Sequence, residues 1–176
     1  MDKLTEHDRL NIGTIFNDVL AKKDAELSEV TDQTKKMEDK LSSLQNKYIN
    51  HLTKKCSKEY DWIKNNTIPV HKDNNISYEL KNAATTNSTE KFKQWEDCSS
   101  MHDHGISTFF KNLFEQQKSS RKESDSCFVT CVNNLYNEKK EVIYNCFEGC
   151  IDNVISDTKS FIAANERKIN DFDKKL

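Results

Sequence analysis

Six cysteines are the residues of this chain best equipped for chemistry, and four of them fall into two matched pairs. Cys127-Phe-Val-Thr-Cys131 is followed, after 14 intervening residues, by Cys146-Phe-Glu-Gly-Cys150. Residues four apart on a helix share a face, so each pair presents two thiols one turn apart. If the chain turns back between the pairs, the register is symmetric: Cys127 faces Cys150 and Cys131 faces Cys146. Three chemistries fit four such cysteines. A disulfide clip suits two rungs between antiparallel helices, and a bridge closing a loop of roughly 15 residues stabilises by about 3 kcal/mol. A four-thiolate zinc site is the second, although structural zinc pairs usually sit in tight loops with short spacing. Redox catalysis is the third, and its usual pair is Cys-x2-Cys at a helix N-terminus.

The other candidate cluster is Met101-His-Asp-His-Gly105. On a continuous helix His102 and His104 point about 200° apart and do not share a metal. Cys98 and His102 are an i, i+4 pair that could hold copper or zinc, in competition with any bridge made by Cys98. An ordinary polar helix surface is the plainer reading. The sequence has no Gly-rich phosphate loop, nucleophile elbow or paired carboxylates, so no catalytic residue, cofactor or metal site is assigned and no enzyme is expected.

Helices must position these side chains. The chain of 176 residues has one Pro and three Gly, which disfavours loop-rich or β-rich folds. Its apolar fraction is 35%, against roughly 45–50% for ordinary soluble domains. Charged residues make up 32%, with 27 basic against 29 acidic side chains. That balance gives no basic footprint for nucleic acid. Long helices with a narrow buried stripe fit this composition. No apolar run of about 18 residues exists, so no transmembrane segment is expected. The first residues, Met1-Asp-Lys-Leu-Thr-Glu-His-Asp8, lack a signal-peptide core and are too acidic for a transit peptide.

Residues 1–66 are predicted as an N-terminal helical, coiled-coil extension, opened by a cap at Thr5 with Asp8. Its stripe runs through Leu10, Phe16, Leu20, Leu27, Val30, Met37, Leu41, Leu44, Tyr48, Leu52, Cys56, Tyr60 and Ile63. Thr31-Asp-Gln-Thr34 thins that stripe and could break the helix in two, so one long helix and a helix pair both stay open. Residues 67–88, with Pro69 and many Asn, Thr and Ser, read as a linker. Asn65, Asn75 and Asn87 each open a formal glycosylation sequence, which a secreted coiled-coil protein would use. A continuous helix is then expected over about 89–136, with Phe92, Trp95, Cys98, His102, Ile106, Phe109, Leu113 and Phe114 on one side. After a turn at Asn133–Asn137, a last helix from about Glu138 to Lys174 carries Ile143, Phe147, Cys150, Val154, Phe161, Asn165 and Ile169. The fold class expected is all-α: a clipped antiparallel hairpin with a long N-terminal extension.

The cysteine pattern resembles the small Tim proteins of the mitochondrial intermembrane space. Phe128 after the first cysteine and Val132 after the second match that family's usual opening, and Ile151 follows Cys150 as in its second half. Residues 89–176 have the length of the family's module. The resemblance implies an outer bridge Cys127–Cys150 and an inner bridge Cys131–Cys146. It also implies import without a cleaved presequence, and hexameric helical assembly with related twin Cys-x3-Cys subunits. Small Tims shield hydrophobic membrane-protein precursors. The first 88 residues have no counterpart in that family, and they point instead to a structural subunit of an inner-membrane complex, respiratory by expectation. A soluble import chaperone is the alternative, with a secreted coiled-coil protein and a zinc-binding module as further ones. In an oxidising compartment pairing is favoured, and Cys56 and Cys98 flank the linker symmetrically, as a third bridge would need. Two buried free thiols are the other reading of that pair.

Overall fold

A computed structural model describes residues 6–72, 75–81, 87–135 and 138–176. Among them the chain forms α1 (Glu6–Lys55), α2 (Ser57–Asn66), β1 (Thr67–Lys72), β2 (Asn75–Leu80), α3 (Ser88–His102), α4 (Ile106–Leu135) and α5 (Lys140–Asp173). The protein is thus mostly helical. No helix among the described residues is long and apolar enough to cross a membrane. Two compact units are present. One comprises the chain to Leu41 with Phe109–Asn170, the other Ser42–Thr108 with Asp171–Leu176.

In the first unit, α1 lies against the hairpin made by α4 and α5. Ile12, Ile15 and Val19 recur at three- and four-residue steps, and Ile15 and Val19 are fully buried. They form one core with Val30, Cys131, Ile143, Phe147, Cys150, Ile151 and Ile155. Each such side chain removed from water contributes about 1.5–3 kcal/mol. The stripe drawn from the sequence followed Phe16, Leu20 and Leu27, which border this core as partly buried side chains, and so ran along its edge.

Ion pairs set the direction of packing. Asp18 meets Lys140 at 3.1 Å, Lys22 meets Glu148 at 2.6 Å, Lys23 meets Asp152 at 2.7 Å and Glu29 meets Lys159 at 3.2 Å. Lys40 also pairs with Glu166. Residue number rises along both helices together, so α1 and α5 run parallel. Pairs of this kind near the surface add little to stability, because water screens them. Their shared spacing discriminates register, as flanking charges do in coiled coils. Asn165, buried beside them, donates to the Phe161 carbonyl at 2.9 Å and to the Gln116 side chain at 3.4 Å.

α1 does not break at Thr31–Thr34. The Thr31 and Thr34 hydroxyls donate to the carbonyls of Leu27 and Val30 at 2.8 and 2.9 Å, so both polar groups are satisfied inside the helix. The interruption falls at Cys56 instead, with φ −112° and ψ 42°. Hydrogen bonds still pass through that joint, from the Cys56 amide to Leu52 and from the Tyr60 amide to Cys56, both 2.8 Å.

In the second unit, the expected linker 67–88 contains an antiparallel β-hairpin, with Thr67 opposite Leu80 and Lys72 opposite Asn75. The Thr67 hydroxyl, buried, donates to the Ile63 carbonyl at 2.6 Å and ties the hairpin to α2. A two-stranded ribbon consists of edges, which is where a strand tolerates Pro69. The continuous helix expected over 89–136 is also divided. His104 and Gly105 take left-handed backbone angles, φ 52° and 81°, and separate α3 from α4. Asp103 caps the new start by accepting from the Gly105 and Ser107 amides at 3.1 and 3.0 Å. Thr5 of the expected N-terminal cap, and Tyr136 and Asn137 of the expected turn, lie outside the described residues.

Candidate functional site

All six cysteines are paired. On the α4–α5 hairpin Cys127 joins Cys150 and Cys131 joins Cys146, each with Cα atoms 5.8 Å apart. The two rungs are one helical turn apart, because each Cys-x3-Cys pair stacks its sulfurs along one face. Cys131 and Cys150 are buried within the core that α1 completes. A bridged sulfur carries no thiolate, so in this state neither the four-thiolate zinc site nor a thiol redox centre has its ligand or nucleophile.

The phenylalanines of the two motifs have a packing role. Phe128 and Phe147, each following the first cysteine of its pair, meet Phe16 of α1. Ring centroids lie 5.7 Å apart for Phe16–Phe128 and 5.3 Å for Phe16–Phe147, both edge to face. That geometry sets ring edges against ring faces and adds to simple burial. The clip and the N-terminal helix are therefore joined by one aromatic cluster. Beyond it, Met37, Leu41, Phe128, Val154, Phe161 and Ile162 line a cleft of about 490 Å³. Phe114, Val129 and Val142 stay exposed on the hairpin.

The third bridge, Cys56–Cys98, spans Cα atoms 6.0 Å apart in the second unit. It lies between the facing helices α2 and α3, whose Tyr60 and Trp95 approach at 6.1 Å and Trp62 and Phe92 at 5.7 Å. Cys98 is thereby taken from the Cys98–His102 metal pair considered in the sequence. His102 instead meets His51 of α1, with ring centroids 6.0 Å apart, and His104 meets the same ring at 5.7 Å.

Tyr48 of α1 donates its hydroxyl to the Asp103 carboxylate in this group. Burial, then the Asp103 bond, pushes the Tyr48 phenol well above its usual range. Burial pulls the Asp103 carboxyl upward, but Tyr48, Ser107 and the Gly105 amide outweigh it and hold it below its ordinary value. His51 is pushed down, first by burial and then by the positive fields of His104, Lys55 and His102.

Sequence reasoning missed His51, Tyr48 and Asp103 as partners of the histidine pair. Gly105 two residues after Asp103 is the local signal of a capped new helix. Nothing local marks His51 or Tyr48, which are recruited through tertiary contact.

Comparisons with protein-family models, curated proteins and solved structures find no match to this chain. The small-Tim resemblance therefore rests on the cysteine motif and the residues flanking it.

Proposed function

We propose that the chain is a non-enzymatic, small-Tim-like helical protein of the mitochondrial intermembrane space. In this reading it is a structural subunit peripheral to an inner-membrane complex, respiratory in kind, and it associates with other twin Cys-x3-Cys subunits. The observation that carries the structural role is the burial of Ile15 and Val19 of α1 against the clipped hairpin. A carrier of transient apolar clients needs an apolar face it can empty and refill. Here the face beneath the clip is occupied by the chain's own N-terminal helix. The alternative, a soluble import chaperone, draws on Phe114, Val129 and Val142, which are exposed on the hairpin.

The test is fractionation of mitochondria from the source organism, followed by native electrophoresis. The expected result is a chain protected from protease until the outer membrane is ruptured, co-migrating in fixed ratio with an inner-membrane complex. Exchange of the chain among hydrophobic precursors in pull-downs would favour the chaperone. Glycans at Asn65 or Asn87, both exposed, would favour a secreted coiled-coil protein instead.

A further inference from the structure

Of the chain's five histidines, His102 and His104 both approach His51 in the second unit, where α1 meets the joint between α3 and α4. We propose that His51, His102 and His104 form a binding site for a first-row divalent metal ion of the zinc or copper class, with the fourth position open to water.

The geometry removes the objection that a continuous helix raises. Two apart on a helix, His102 and His104 would diverge. The helix ends at His102, and His104 takes φ 52°, a left-handed conformation uncommon outside glycine. Asp103 and Gly105 hold that turn through the cap on α4. As a result both rings approach His51, at centroid distances of 6.0 and 5.7 Å. Two imidazoles bound to one tetrahedral zinc at about 2.0–2.1 Å hold their centroids roughly 5 Å apart. Binding therefore requires the side chains to rotate inward, for which His104 is exposed and His102 half-buried.

The chemistry points the same way. His51 Nε2 is buried and has no hydrogen-bond partner. Buried polar atoms are rarely left so, and an orphaned one asks what ligand it serves. A neutral imidazole nitrogen donates a lone pair to a metal, and His51 Nε2 has no other partner to serve. Lys55 opposes a cation here, whereas the Asp103 carboxyl, anchored by Tyr48, lies on the turn between the two histidines. Imidazole donors suit zinc, copper and nickel, and three histidines with one open position form a recurrent zinc set. The site uses no cysteine, so it coexists with all three bridges.

The experiment uses the full-length oxidised chain, free of reductant and with no titratable thiol. Co²⁺ is titrated while visible absorption is followed, and Zn²⁺ is titrated by calorimetry. One equivalent of each is expected, with the intense visible bands of tetrahedral cobalt, which Zn²⁺ then abolishes. His51→Ala and His102→Ala should weaken binding at least about tenfold, the loss that even outer partners of a metal ligand produce. His104→Asn should do the same, because Asn tolerates the left-handed backbone and leaves the turn intact. Circular dichroism confirms that each variant keeps its helices. If His51→Ala unfolds, His104→Asn still decides, since that side chain is exposed. Double replacement of the other two histidines, His7→Ala with His71→Ala, should change nothing. Absence of cobalt bands, undiminished affinity in His104→Asn, or affinity lost on replacing His7 and His71 would each overturn the proposal.

Discussion

Phe147 sits where the clip, α5 and α1 meet, and it is 2% exposed. Replacing it with Ala should cost about 3–5 kcal/mol, measured by urea denaturation, because the cavity left between two disulfides cannot collapse freely. Phe16→Ala should cost less, since that ring is only partly buried. Tyr48→Phe removes a bond to a charged carboxylate and should cost about 1.5–3 kcal/mol. The sign for Asp103 follows from its depressed pKa. Its contribution is present above the unfolded carboxylate value and is lost as pH falls through the lower folded one. Thermal melts should show a fall in stability below about pH 4, and Asp103→Asn should flatten that limb. The cysteine pairs were legible because a four-residue step on a helix fixes which side chains share a face. The histidine site was not, because its geometry depends on a left-handed residue and on a ring 51 positions from His102 in the sequence.

Helices tied together by bridges divide the stabilisation between them. Removing the inner bridge with Cys131→Ser and Cys146→Ser releases a separation of 15 residues, and should cost about 3 kcal/mol in the first unit. Removing Cys56–Cys98, with a separation of 42, should act elsewhere. Hydrogen exchange is expected to lose protection in α2 and α3 while amides around Ile143–Ile155 keep theirs. Long helices were readable from composition and periodicity, since few breakers interrupt them. Their ends were less so. Thr31 and Thr34 looked like breakers but bond back to their own helix, whereas Gly105 did mark a boundary and was passed over. The β-hairpin was hidden by its own turn chemistry. Asn, Ser and Pro69 suggested a linker, although Thr67, Ile68 and Val70 are strand formers separated from Ile76 and Tyr78 by a short polar stretch.

At the scale of the molecule, the sequence left open what the apolar stripe of the first 88 residues packs against. The structure answers for the part up to Leu41, which lies on the chain's own clipped hairpin. An amphipathic stripe states that a helix has a partner, and only tertiary packing states which one. The mitochondrial reading and the fold share one foundation, the pairing of the cysteines. Non-reducing peptide mapping of protein isolated from its source tests it most directly, and cleavage after Phe128 and Phe147 separates the two cysteines of each motif. The expected map links Cys127 with Cys150, Cys131 with Cys146 and Cys56 with Cys98. Free thiols at 127, 131, 146 and 150, or an exchanged pairing among them, would contradict the account.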